Sequence, residues 1–312
     1  MKKTLFLSAA AAVLALAGTS CSSENDQPMP GNGNNVSFRV SIPEELQSRA
    51  FGDGLQALEL SYAVYASDDA NHEVLRSGSA TFQNLHTTVN FSLPKGKKYD
   101  IIFWAQADGA PFAFDMPSQT ITVTYAGMDA YSEKFDAFTW TEKEFMIDGT
   151  VSEKEITLYR PFAQVNIGAL NEDIANADEM KFDYSQSKVY ISDVYTQLNL
   201  KTGECIPSSL TNVQFDQMAI PTGERFPFPA LDQPATITYL SMNYVLVPAE
   251  KTANHEVRID LAESYYPETK VLNVPMQRNY RTNIYGTLIS SEVSLKINID
   301  PDFYEPDNNV TF

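Results

Sequence analysis

Side chains that do chemistry are scarce in this sequence. It holds two cysteines, Cys21 and Cys205, and three histidines, His72, His86 and His255. A structural zinc site takes four Cys or His ligands at short spacing, and a disulfide scaffold takes more thiols than two, so both are excluded. His72 and His86 fall in polar stretches near turns and His255 follows Asn254, so all three are expected as solvated loop residues. Cys205 follows Thr202-Gly203-Glu204 at an expected hairpin. With no histidine near it in sequence to act as a base, it reads as a lone thiol, not a nucleophile. Carboxylates cluster at Asp68-Asp69 and at Asp300-Pro301-Asp302 with Glu305 and Asp307. Neither cluster has the glycine-centred spacing of a calcium loop. No His-Glu-x-x-His, Gly-x-Ser-x-Gly or phosphate-binding glycine loop occurs. Trp104 and Trp140 could stack on a sugar ring, but Trp104 sits in a continuous apolar run where core packing is expected. The residues therefore point away from an enzyme: no catalytic residue, metal ligand set or cofactor is expected.

The composition points to packed, acidic modules. The 312 residues carry 22 Lys and Arg against 40 Asp and Glu, a net charge of −18. Neutralising phosphates needs a basic footprint, so nucleic acid is excluded as a partner. Hydrophobic residues make up 43% and aromatics 12%, enough for cores in what the length suggests are two domains. The N-terminus reads as an export signal over residues 1–20. Met1-Lys2-Lys3 is basic, Leu5 to Leu16 is apolar but too short to span a bilayer, and Ala17-Gly18-Thr19-Ser20 leads into Cys21. No later stretch approaches 18 apolar residues. Residues 21–35 are polar and rich in Gly, Pro and Asn, the composition of a flexible tether.

From Val36 onward, apolar and polar residues alternate with the period of β-strands. Val36, Phe38, Val40 and Ile42 form the first such row, and further runs cover 58–64, 87–93 and 119–125. Tyr99 to Ala105 is unbroken apolar, as in a strand covered on both faces. Residues 129–144 break the rhythm and could hold one short helix. A second set of strands runs over 155–166, 187–192, 197–200, 213–218, 235–247, 256–261, 270–274, 283–290 and 293–299, with one acidic helix at 171–181. Turn residues punctuate this at short intervals, which predicts an all-β fold of two tandem antiparallel β-sandwiches, 36–147 and 148–312.

A cysteine directly after a small-residue cleavage region resembles a bacterial lipobox, although Gly18 stands where the box has Leu and Leu16 lies further back. It implies acylation of Cys21 by diacylglycerol and palmitate, and an outer-membrane lipoprotein. Further stretches resemble the Bacteroides-type fimbrillins, or type V pilins, and their fimbrillin-like lipoprotein relatives. They are Ser48-Arg49-Ala50-Phe51-Gly52-Asp53-Gly54, Lys98 to Gln106, Tyr159-Arg160-Pro161-Phe162-Ala163-Gln164-Val165-Asn166, Met242 to Pro248, and Val274 to Gly286. The resemblance implies transthyretin-like sandwiches and a fimbrial subunit or fimbrium-associated adhesin at the cell surface. Its implied partners are other fimbrial subunits, the outer membrane through the lipid, and a host or bacterial receptor. It also implies that an arginine-specific protease removes the anchor and first strand, and that a neighbour's strand fills the slot. On this chain the cut maps to Arg49-Ala50, with Arg39 as a rival lying mid-strand. The displaced row is Val36, Phe38, Val40 and Ile42; Val293, Leu295, Ile297 and Ile299 repeat its spacing as a candidate donor, ending at Pro301. Residues 302–312 form a polar tail without assignment. A surface glycan-binding lipoprotein is the alternative, and it requires solvent-facing aromatics on one face.

Overall fold

The computed structural model describes residues 33–43, 53–127, 132–147, 152–222, 237–265 and 268–300. The first half contains β1 (Gly33–Ser41), β2 (Glu59–Ala66), β3 (Arg76–Thr81), β4 (His86–Pro94), β5 (Lys98–Gln106), β6 (Phe112–Asp115), β7 (Thr120–Val123), β8 (Phe138–Met146) and β9 (Ser152–Thr157). β10 (Ala163–Leu170), α1 (Asn171–Met180), β11 (Gln186–Tyr195), β12 (Gln197–Asn199), β13 (Glu204–Cys205) and β14 (Leu210–Ala219) follow. The chain then forms β15 (Ile237–Val245), β16 (Thr252–Leu261), β17 (Glu268–Met276), β18 (Arg281–Thr287) and β19 (Ser294–Asp300). The expected all-β architecture of packed, mostly antiparallel sheets is what the chain adopts.

Two sheets, β4-β1-β9 and β3-β2-β5-β8, enclose one core. Alternation works as anticipated: Val36, Phe38, Val40 and Ile42 from one sheet meet Leu60, Val64, Ile101 and Phe103 from the other. β5 is buried along nearly its whole length because the opposite face of its sheet is covered too. There Ala63, Tyr65, Ile102 and Trp104 join a second core, which runs on into the sheets β15-β10-β18-β19 and β14-β11-β16-β17. A small sheet, β13-β12-β7-β6, bridges the halves, since β12 pairs with β7. Two strand pairings, β12 with β7 and β9 in parallel with β1, and the isolated Thr139↔Tyr159 bridge thus cross the division expected at 147/148.

Several expectations change in detail. The tether expected to end at residue 35 gives way to strand at Gly33, because β4 supplies pairing partners as far as Pro94. Among its described residues the break at 129–144 holds a 3-10 turn, Glu133–Phe135, followed by β8, whose charged sequence hid a strand lying against β5. The run 155–166 is two strands, β9 and β10, in different sheets. The helix lies where predicted, ending at left-handed Lys181. Its Asp173 is buried and accepts hydrogen bonds from the amides of Leu288, Ile289 and Ser290 at 2.8, 2.9 and 2.8 Å. That contact fixes the connection that leads into β19.

The crossing between halves is made by residues 158–162. The Leu158 amide bonds to Ser41 at the end of β1, Tyr159 exchanges two backbone bonds with Thr139 of β8, and Phe162 accepts from the Asn279 amide. Arg160, in the middle, is buried and pairs in fork geometry with buried Asp136, Nε to Oδ1 at 2.5 Å and Nη2 to Oδ2 at 2.8 Å. Asp136 Oδ2 also accepts the Gly54 amide at 3.2 Å, and the guanidinium lies 4.6 Å from the centre of the Phe138 ring. Nearby in sequence to this pair, Phe162 lies 5.3 Å from Phe112, which in turn lies 5.3 Å from Trp104, and Phe135 stacks on Tyr125 at 5.7 Å.

A buried ion pair broken on one side leaves an uncompensated charge. Arg160→Met is expected to lower stability by about 3–5 kcal/mol in urea unfolding. The double variant with Asp136→Leu should recover a large part of that loss.

Candidate functional site

The residues singled out for strand exchange meet at β1. Its nine residues pair antiparallel with β4 from Gly33↔Pro94 to Ser41↔His86, and six of them pair in parallel with β9. β1 is therefore the central strand of its sheet. Val36, Phe38, Val40 and Ile42 are each no more than 1% exposed. Phe38 anchors the row, with Phe91, Phe103 and Phe145 at centroid distances of 5.8, 5.2 and 5.2 Å. On the outer face, Arg39 reaches Glu153 at 3.2 Å and Glu155 at 3.3 Å, so this rival cleavage residue is engaged within a paired strand. Gly54 closes the end of the row. A Cβ there would meet Ile42 Cγ2 at 2.8 Å, and its φ of +76° suits glycine.

β19 is the counterpart. It is an edge strand, paired on one side with β18 from Arg281↔Asp300 to Thr287↔Ser294. Leu295 and Ile299 are only half-buried and Ile297 is 37% exposed. Val293, the fourth member of the candidate donor row, precedes the strand and is exposed. The close seating of β19 depends on Gly286, opposite Leu295, where a Cβ would meet the Ser294 carbonyl oxygen at 2.0 Å.

The export signal, Cys21, Arg49 and Ala50, and residues 301–312 lie outside the described residues. Trp104 is buried, as its apolar run implied, and Trp140 is half-buried with Nε1 donating to Glu142 at 3.3 Å. The two tryptophans do not form a solvent-facing platform. Asp69 accepts the amides of Asn71 and Glu73 at 2.9 and 2.8 Å and so shapes a turn. Among the described residues no group of three or more His, Cys, Asp or Glu gathers to hold a metal. His86 is exposed and His72 half-exposed, but His255 overturns the solvated reading. It is 1% exposed within β16, contacting Thr252 Oγ1 at 2.6 Å and the Ser192 carbonyl at 3.0 Å. Burial holds its pKa below the ordinary histidine value, against the raising effect of the Ser192 contact.

Cys205 is a free thiol in the short strand β13, and burial pushes its pKa up. Arg278 approaches it at 3.4 Å while donating to the carbonyls of Gly203 at 2.5 Å and Val247 at 3.2 Å. The arginines of the stretches Tyr159-Arg160-Pro161-Phe162 and Gln277-Arg278-Asn279-Tyr280 are thus buried structural donors. The signal for that was an arginine set among aromatic residues. Gln164-Val165-Asn166 and Thr282-Asn283 likewise contribute a buried rung, Asn166 Nδ2 donating to Asn283 Oδ1 at 2.8 Å.

The model of a family described as "Family of unknown function (DUF6562)" matches residues 28–312. Among curated proteins, none matches the chain. Similar solved structures include the tip fimbrial protein Mfa3 from Porphyromonas gingivalis with C-terminal truncation, at 10% identity and a TM-score of 0.47, over 86% of this chain and 99% of that one. A fimbrial assembly protein from Parabacteroides distasonis aligns at 13% identity and a TM-score of 0.44, again over 86% and 99%.

Two expectations follow from the site. Gly286→Ala should unseat β19 alone: amides of Leu295 to Ile299 should exchange hydrogen at least about tenfold faster while β11 stays protected. His255 is neutral when buried, and the unfolded chain takes up a proton below a pKa of about 6.5. Stability should then be full above that value and decline as the pH falls below it. Thermal unfolding at about pH 7.5 and pH 5.5 checks this, with His255→Gln expected to flatten the slope.

Proposed function

The chain belongs to the family of unknown function DUF6562, and from that premise we propose that it is a fimbrial subunit or fimbrium-associated adhesin, acting by assembly and adhesion rather than by catalysis. In this reading the precursor is a lipoprotein held in the outer membrane through Cys21. Cleavage at Arg49-Ala50 cuts β1 loose from the strands that surround it. Its partners are further fimbrial subunits and a receptor on a host or bacterial surface.

The observation that carries the reading is the unequal burial of two similar rows. Val36, Phe38, Val40 and Ile42 fill a closed slot, whereas Leu295, Ile297 and Ile299 sit half in water at a sheet edge. Fully burying an apolar side chain contributes about 1.5–3 kcal/mol, so four contribute roughly 6–12 kcal/mol before ordering costs. A β19-type strand gains most of its share only on entering such a slot. The central place of β1 sets a condition: its departure leaves unpaired edges on both β4 and β9. An incoming strand then pairs on two sides.

The test uses purified full-length precursor and an arginine-specific protease. The expected outcome is a new N-terminus at Ala50, release of the fragment bearing β1, and a ladder of oligomers that resists unheated SDS. A chain that is cut at Arg49 yet stays monomeric at high concentration overturns strand exchange. A chain that resists cleavage overturns the processing step.

A further inference from the structure

The β1–β4 ladder ends at a turn whose own residues oppose it. Gln83, Asn84, Leu85 and His86 form a two-residue hairpin turn between β3 and β4. The His86 amide donates to the Gln83 carbonyl at 3.1 Å, and the Gln83 amide to the His86 carbonyl at 2.8 Å. Both central residues have left-handed backbones, with φ of 52° at Asn84 and 65° at Leu85. A two-residue hairpin turn with positive φ at both positions takes Asn readily and calls for glycine second. Leucine at that second position brings its Cβ against the following carbonyl oxygen. Leu85 therefore holds a conformation that its side chain opposes, and such a conformation persists only where the surroundings impose it.

Those surroundings include the end of β1. The Ile42 amide donates to the Leu85 carbonyl at 2.9 Å, one step beyond the Ser41↔His86 pair. The Leu85 side chain is 3% exposed and lies in the same core as Ile42, Ala57 and Phe82. Ile42 is itself confined: it is fully buried, and a Cβ at Gly54 would meet its Cγ2 at 2.8 Å. The donor that pins the strained carbonyl thus sits at a fixed place at the end of the slot.

We propose that Leu85 is a strained latch that reports whether the β1 slot is filled and fixes the register of the strand that fills it. With β1 in place, the Ile42 amide and the surrounding core hold the turn left-handed. When β1 leaves, the Leu85 carbonyl loses its donor and the core loses Val36, Phe38, Val40 and Ile42. The turn then relaxes and takes the start of β4 with it. A replacement strand resets the turn only by presenting a backbone N–H and an apolar side chain at the position of Ile42. Ile299 meets both conditions when Val293, Leu295, Ile297 and Ile299 take the places of Val36, Phe38, Val40 and Ile42. A slip of two residues would keep the same face inward but bring Pro301 to that position, and proline has no N–H to donate. The register requirement rests on the strand-exchange reading, whereas the latch itself is a property of the uncut chain.

Hydrogen exchange in the uncut chain tests the latch, read at the His86 amide that closes the turn and compared with the Phe103 amide of β5. Ile42→Ala should speed exchange at His86 at least about tenfold relative to Phe103. Leu85→Gly supplies the residue that the turn geometry favours, so His86 should stay protected in that variant with or without Ile42→Ala. An Ile42→Ala chain in which His86 gains nothing over Phe103 overturns the latch. So does a turn that opens in Leu85→Gly alone, because leucine packing and not strain would then govern it. The register is tested after cleavage at Arg49. A peptide of residues 293–300 should restore slow exchange at His86, and the same peptide N-methylated at the Ile299 amide should not. Equal restoration by both overturns the register requirement. A cut chain that takes up neither peptide overturns the strand exchange on which that requirement rests, and the measurement on the uncut chain still decides the latch.

Discussion

A buried ion pair is costly to part, because neither charge can regain its hydration, and in this protein such a pair sits where Gly54, the lead into β8 and the crossing between halves meet. Asp136 and Arg160 are both buried, and the pair is joined by the Gly54 amide and the Phe138 ring. Asp136 lies just ahead of β8, Gly54 follows the end of β1, and Arg160 occupies the five-residue crossing into the second half. Shifting any one of these segments would part the charges in a medium where their hydration cannot be regained. The frame around the β1 slot is therefore rigid for a reason other than apolar packing alone.

The halves are held together by additional cross-links of mixed character. Lys201 pairs with the buried Asp100 at 2.8 Å, and Asp100 also accepts from Ser67 and the Glu144 amide. Burial raises the Asp100 carboxyl, but these donors outweigh it and hold its pKa below the usual value. Thr141 donates to the Leu200 carbonyl at 2.7 Å, beside the β7–β12 pairing. With the aromatic cluster around Phe112 and Phe135, this couples the two cores through specific, directional contacts. In that setting β19 stands apart. It has one strand neighbour, a half-wetted apolar row, and an approach that tolerates nothing larger than glycine at residue 286. The inward row of β1 is thus closed off from water, while that of β19 is half open to it.

Phe38 links the β1 slot to the rings packed around it. It is the largest side chain of the β1 row, and through Phe91 it supports Tyr62. The candidate donor row has Leu, Ile and Val but no aromatic residue. A strand of that composition in the slot would leave Phe91 stacked on Tyr62 alone.

The sequence by itself determined where most strands lie, because side-chain alternation is a local consequence of which face meets the core. Val36 to Ile42, the unbroken run of β5 and the acidic helix from Asn171 were all legible in this way. β3 and β8 were not: Arg-Ser-Gly-Ser-Ala-Thr and Phe-Thr-Trp-Thr-Glu-Lys-Glu-Phe-Met carry weak or mixed alternation, and they are strands because β2 and β5 pair with them. His255, read as solvated from its neighbours, is buried because its sheet packs in the second core. The tertiary structure alone decided that β1 is central, that Asp136 meets Arg160, and that Asp173 meets the amides of 288–290 across 115 to 117 residues of chain. Such partners are chosen by closure of distant segments and by the cost of leaving a buried charge or amide unpaired. No local pattern of residues records that choice.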